Sequence, residues 1–132
     1  MNEIQGLQAH FVPEGLLLFG TAEAQNLAER VRTLLILELS VGTPKVPSIA
    51  RKLGKSERSL ARQLHAEGTS FSVIFEDVRR SLAIHYVGRS SKRFAEISEA
   101  LCFSHPTAFF RAFRRWTQQS PRQYRFRPLH LE

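Results

Sequence analysis

The segment from Ile97 to Arg125, ISEALCFSHPTAFFRAFRRWTQQSPRQYR, constrains the fold of this chain more than any other. A short amphipathic helix runs into a tight turn at Cys102-Phe103-Ser104. A second helix follows, with phenylalanines on one face and arginines on the other. This is a helix-turn-helix pattern. Upstream, IARKLGKSERSLARQL has the same build. Ile49 matches Ile97, Leu53 matches Leu101, Gly54 matches Cys102 and Ser56 matches Ser104. Past the turn the register shifts by one, pairing Leu60 with Phe109, Arg62 with Arg111 and Leu64 with Phe113. The second copy therefore carries one extra residue between turn and second helix. Each matched position has the same physical role, which gives the repeat its weight.

The rest of the chain reads as helices that serve these two units. Residues 22–40 predict a helix with an apolar stripe of Leu27, Val31, Leu34, Leu35 and Leu39, widened by Ile36 and Leu37. Glu23, Glu29, Arg30, Arg32 and Glu38 lie mostly off it. Gly42, Thr43 and Pro44 end it. A helix starts near Pro47, buries Ile49, Ala50 and Leu53, and ends at Gly54 in a left-handed conformation. Ser56 is a good N-cap for a helix over 57–67, closed by Gly68. Ser70 to Val87 reads as one long helix, ended by Gly88 and Ser90-Ser91. A helix from Phe94 to Leu101, a second to about Gln118 with His105 at its N-cap, and a short one after Ser120-Pro121 complete the series. The expectation is an all-α fold of about seven helices: two helix-turn-helix subdomains joined by a long linker helix. In residue ranges this gives an arm or remnant of an upstream domain over 1–21 and a lead-in helix and linker over 22–44. A DNA-binding domain over 45–128 then divides into a first unit at 46–67, the linker helix at 70–88, a second unit at 93–118 and a terminal helix at 120–127. Residues 1–20, apolar at Phe11-Val12 and Leu16 to Phe19, carry no recognisable chemistry.

Charge names the class of partner. The chain of 132 residues has a net charge of +7. Residues 1–44 hold only Arg30 and Arg32 as basic side chains, against Glu3, Glu14, Glu23, Glu29 and Glu38. The positive field therefore belongs to the remainder, and such a field attracts a polyanion. A rigid linker helix of somewhat under ~30 Å also suits two readers held about one B-DNA turn, ~34 Å, apart.

A recognition helix needs an apolar face for docking and a polar face for base edges. In the first unit Leu60 and Leu64 dock, while Arg58, Ala61 and Arg62 are the candidate base readers. In the second, Phe109 and Phe113 dock, while Thr107, Phe110, Arg111 and Arg114 point away. Arginine can hold guanine O6 and N7 with two parallel bonds, and an aromatic can press on a thymine methyl. Packing of Phe110 on a neighbouring helix is the other reading of that residue. Ser48, Lys55, Arg79, Arg80, Lys92, Arg93, Arg115 and Arg125 are the candidate phosphate contacts.

Other functions find less support. Cys102 is the only cysteine, so no internal disulfide and no cysteine-rich zinc site is expected. Cys102 and His105 lie close in sequence, but nothing orients the histidine as a base, and no enzyme is expected. His10, His65, His85 and His130 lack metal-ligand spacing, so no metal or other cofactor is expected. There is no run of eighteen apolar residues and no basic n-region at the start, which favours a cytoplasmic protein without a membrane partner. Helix 105–118 is basic and amphipathic, as a membrane-surface helix would be, but the repeat assigns its apolar face to a core. Helix 22–40 and the Phe11–Phe19 stretch could also contact another protein chain.

These residues resemble the AraC/XylS family of bacterial transcription regulators. The likeness rests on Ile97-Ser98, Leu101-Cys102-Phe103, Phe109-Phe110-Arg111-Ala112-Phe113, Arg115-Trp116 and Ser120-Pro121-Arg122-Gln123-Tyr124-Arg125. Upstream it extends through Pro47-Ser48-Ile49-Ala50, Gly54-Lys55-Ser56, Leu60-Ala61-Arg62, Gly68-Thr69-Ser70-Phe71 and Val78-Arg79-Arg80. It implies a sequence-specific regulator of transcription, an activator by family likeness, with double-stranded DNA as partner and RNA polymerase as a further contact. Ser98 replaces the common alanine, Cys102 and Gln118 stand where glycine is usual, and Phe110 stands where small polar residues are common. Many members carry a large N-terminal domain that senses a ligand or dimerises. This chain is then either a short stand-alone member or a fragment whose missing domain, or a second copy, is a partner.

Overall fold

A computed structural model describes residues 26–128. Among them are seven helices and no strands: α1 Leu27–Leu39, α2 Val46–Lys52, α3 Glu57–Ala66, α4 Phe71–Arg89, α5 Phe94–Ala100, α6 Pro106–Thr117 and α7 Pro121–Arg125. The all-α expectation holds. The expected arm over 1–21 and the start of the helix at residue 22 fall outside the described residues. The chain divides into two compact units at Val78/Arg79.

The first unit begins with Asn26, extended in backbone, whose Oδ1 accepts from Glu29 N at 2.8 Å. Asn26 is therefore the N-cap, and α1 starts at Leu27. The two preceding helical N–H groups are also satisfied. Leu27 N donates to Glu67 Oε2 at 3.1 Å, and Ala28 N donates to Glu67 Oε1 at 2.9 Å. Glu67 is the C-cap residue of α3, so one carboxylate seals the start of α1 from the end of α3. The core is Val31, Leu35, Ile36, Ile49, Ala50, Leu60, Leu64, Ile74 and Val78. Arg32 and Asp77 pair at 2.6 Å, tying α1 to the first half of α4.

The apolar stripe of α1 differs from the sequence reading in two ways. Leu37 is exposed, and Glu38 lies inside, 8% exposed. Glu38 Oε2 accepts from Ser48 Oγ at 2.7 Å and pairs with Lys52 Nζ at 2.9 Å. Burial pushes its carboxyl up, but the hydrogen bonds from Lys52 and Ser48 and the Lys52 charge outweigh this and hold it below the usual value. Two donors on α2 thus make an acidic core residue tolerable.

The second unit packs α5 on α6 and α6 on α7. Its core is Leu82, Ala83, Tyr86, Val87, Ile97, Leu101, Phe109, Ala112 and Phe113. The sequence ended α4 at Gly88, yet the helix runs through it to Arg89. The glycine is there for proximity: a Cβ would lie 3.1 Å from Tyr124 Cε1. That ring meets Phe113 edge-on at 5.4 Å, and the Arg127 guanidinium lies over it, 4.0 Å from its centroid. The stop comes later, where Ser90 Oγ donates back to Tyr86 O at 2.7 Å.

Candidate nucleic-acid interface

The internal repeat recurs in the hydrogen bonds of the two turns. After α2, Gly54 N donates to Arg51 O at 3.0 Å and Lys55 N to Ala50 O at 2.9 Å. After α5, Cys102 N donates to Glu99 O and Phe103 N to Ser98 O, both at 3.0 Å. Both are Schellman turns, and each needs a left-handed residue. Gly54 supplies it with φ 69°, and Cys102 does so with φ 65°, a conformation that costs a residue with a Cβ ~1–2 kcal/mol. The N-caps also correspond, though not at the letters first matched. Ser56 Oγ accepts from Ser59 N at 3.0 Å, and His105 Nδ1 accepts from Ala108 N at 3.2 Å. By role, Ser56 therefore pairs with His105, and the insertion precedes the cap. His105 Nδ1 is thereby committed to α6 and is not directed at Cys102 as a base.

The docking faces of α3 and α6 are where the repeat placed them. Leu60 and Leu64 are buried in the first unit, and Phe109 and Phe113 in the second. On the opposite side of α3, Arg58, Ala61 and Arg62 are exposed. On α6, Thr107, Phe110, Arg111 and Arg114 are exposed. Among the described residues no carboxylate pairs with any of these four arginines. Phe110 is 39% exposed and also packs on neighbouring rings. Its ring leans on Phe94 and Phe109, at 6.3 and 5.8 Å between centroids, while its outer edge borders a groove.

The candidate phosphate contacts divide. Arg80, Arg93 and Arg115 are exposed, and Lys55 and Lys92 are half-buried at the surface. Arg93 approaches Glu96 at 3.6 Å, and Lys92 Nζ lies 5.6 Å from the Tyr86 ring. Three others, Ser48, Arg79 and Arg125, are half-buried and make contacts within the fold. Ser48 donates to Glu38. Arg79 donates from Nη1 to Leu101 O at 3.3 Å and stacks 4.1 Å over Phe103. Arg125 donates from Nε to Val87 O at 3.0 Å and from Nη2 to Tyr86 O at 3.3 Å, and stacks 4.5 Å over Phe94. Carbonyls near helix ends need such donors, and an arginine fork supplies several at once.

Arg51 and Arg122 are exposed cations to which the sequence pattern assigned no role. Arg51 lies in the last turn of α2 beside Gly54 and Lys55, and Arg122 lies on α7 beside Arg111 and Arg114. Arg122 and Arg125 sit three apart on a helix of five residues, too short for periodicity to say which faces out. Among the described residues no group of three or more His, Cys, Asp or Glu could hold a metal, and no helix is long and apolar enough to cross a membrane.

Comparison with known proteins places this geometry. The family model of a helix-turn-helix domain matches residues 49–127. The chain is similar to the ornithine utilization regulator of Pseudomonas aeruginosa, 38% identical over 112 residues that cover 84% of this chain and 33% of that protein. It is also similar to the HTH-type transcriptional regulator VirS of Mycobacterium tuberculosis, 35% identical over 100 residues, covering 76% and 29% of the two chains. Among solved structures it resembles the transcriptional regulator CdpR from Pseudomonas aeruginosa, with a TM-score of 0.66, 33% identity, and coverage of 76% of this chain and 31% of that one. It also resembles a DNA-binding transcriptional dual regulator from Escherichia coli K-12, with a TM-score of 0.71 and coverage of 79% and 99%; at 21% identity this likeness concerns the fold alone. The chain spans about a third of the length of the curated relatives it matches.

Proposed function

The chain belongs to the AraC/XylS family of helix-turn-helix transcription regulators, and on that premise we propose that it is a sequence-specific activator that inserts α3 and α6 into adjacent major-groove segments. One observation carries the proposal. Two helices of like build, each docked through a buried apolar pair, present arginines that no carboxylate of the described residues neutralises. Such arginines have five donors each and no carboxylate partner among the described residues, so a guanine edge or a phosphate completes them.

Arg58, Ala61 and Arg62 read one half-site; Thr107, Phe110, Arg111 and Arg114 read the other. Lys55, Arg80, Lys92, Arg93 and Arg115 hold the phosphate backbone and fix the register. The unequal residue sets of α3 and α6 call for unequal half-sites. Activation requires a second contact, for which RNA polymerase is the partner by family likeness, and the cytoplasm is the compartment where both are found. Ligand sensing or dimerisation through an upstream domain belongs to the same proposal, because the matched relatives are about three times as long.

Selection of bound sites from random duplexes tests the reading. An asymmetric site of about two helical turns is expected. Titration of that site against random DNA at physiological salt should give a ratio of at least ~1,000. A ratio near one overturns the proposal.

A further inference from the structure

We infer that the groove between Phe94, Phe110 and Pro121, rimmed by Arg111, Arg114 and Arg122, is a subsite for the 5-methyl edge of thymine, and that Phe94 is the positioning residue that shapes it. The inference rests on the DNA-binding reading above and names the base that one part of α6 selects.

The groove measures about 460 Å³ and is lined entirely from the second unit. Its wall is the exposed part of Phe110, which shares the outer face of α6 with Arg111 and Arg114. A phenyl ring has no hydrogen-bonding atom to offer a base edge. In the major groove the one apolar group on any base pair is the C5 methyl of thymine, so an apolar wall there distinguishes thymine from the other bases. The rim adds charge complementarity. No carboxylate among the described residues pairs with Arg111, Arg114 or Arg122, so an apolar floor lies within a cationic border. A methylated base edge flanked by phosphates has the matching pattern.

Phe110 is held in place from behind. Phe94 meets it edge-on, with ring planes at 89°. The Arg125 guanidinium covers Phe94 4.5 Å from its centroid, and the carbonyls of Val87 and Tyr86 hold Arg125. A continuous stack thus runs from the end of α4 through Arg125 and Phe94 to the reading face. Edge-to-face pairs have a preferred geometry, so removing the Phe94 ring frees Phe110 to turn away from the groove.

Uracil substitution tests this with the full chain. Each thymine of the selected site is replaced by uracil, which removes the methyl and nothing else. Wild-type binding should weaken about fourfold at one or two thymines of the half-site read by α6, the ratio that ~0.8 kcal/mol per buried methyl-sized group gives. Phe110→Ser should bind thymine and uracil duplexes alike. Phe94→Leu should shrink the thymine-to-uracil ratio while the guanine preference in the same half-site persists, which a loss of fold would not produce. If Phe94→Leu fails to fold by thermal melting, Phe94→Met replaces it. Specific binding with every uracil substitution silent overturns the subsite and leaves the DNA reading standing. So does a Phe110→Ser variant that keeps the wild-type ratio, or a ratio unchanged in a folded Phe94 variant. Binding with no sequence preference overturns both.

Discussion

The Nε of Arg125 donates to the carbonyl oxygen of Val87 at 3.0 Å, and that bond takes a basic residue out of the surface field and into the scaffold. With Nη2 on Tyr86 O and the guanidinium plane over Phe94, Arg125 joins α7 to the end of α4 and to the start of α5. Burial lowers its pKa, as expected for a cation drawn from water.

Arg125→Lys should therefore act on stability first. An ammonium cannot reproduce the fork, and loss of a hydrogen bond to a charged donor costs ~1.5–3 kcal/mol. Urea denaturation measures the loss. A variant as stable as wild type but weakened in salt-dependent DNA binding would return Arg125 to the phosphate contacts.

Arg62→Ala and Arg111→Ala should do the reverse. Both side chains are exposed, so stability should move by no more than ~0.5 kcal/mol. Each should lose ~1–3 kcal/mol of discrimination, confined to its own half of the selected site. For the wild type, the five proposed phosphate contacts predict a log–log salt slope of about −4.5. Sequence preferences unchanged in both variants would remove these residues from the reading role.

Cys102→Gly should stabilise the second unit. Its φ of 65° costs a residue with a Cβ ~1–2 kcal/mol, and the greater freedom of glycine in the unfolded chain returns part of that gain. A net gain of ~0.5–1 kcal/mol is expected from urea denaturation. Cys102→Ala keeps the Cβ and should show no such gain; equal effects would mean that the turn is unstrained.

Glu38 predicts a pH dependence. Its carboxyl is held below the usual value in the fold, so over that window the unfolded chain binds more protons. Its stabilisation is complete above the unfolded carboxylate pKa of about 4.3. It is lost as pH falls through the lower folded value. Glu38→Gln should flatten this part of the stability profile while the Ser48 contact remains. Parallel wild-type and variant profiles between about pH 3 and 6 would show that Glu38 does not carry it.

The sequence alone determined what repeats and what is local. Spacing of Leu60 and Leu64, and of Phe109 and Phe113, fixed which faces dock, because helical period depends on backbone geometry rather than on neighbours. Ser56, His105, Gly54 and Cys102 marked caps and turns because each acts within a few residues of itself. Tertiary structure decided what a helix end or a charge does when a distant segment arrives. Gly88 looked like a stop but makes room for Tyr124. Glu38 looked solvated but is buried against Ser48 and Lys52. Arg79 and Arg125 have the composition of phosphate contacts, yet they satisfy carbonyls at Leu101 and Val87, while Arg122 faces out. A positive charge reads the same in sequence whether its acceptor is a phosphate or a buried carbonyl, and only the fold brings that acceptor within reach.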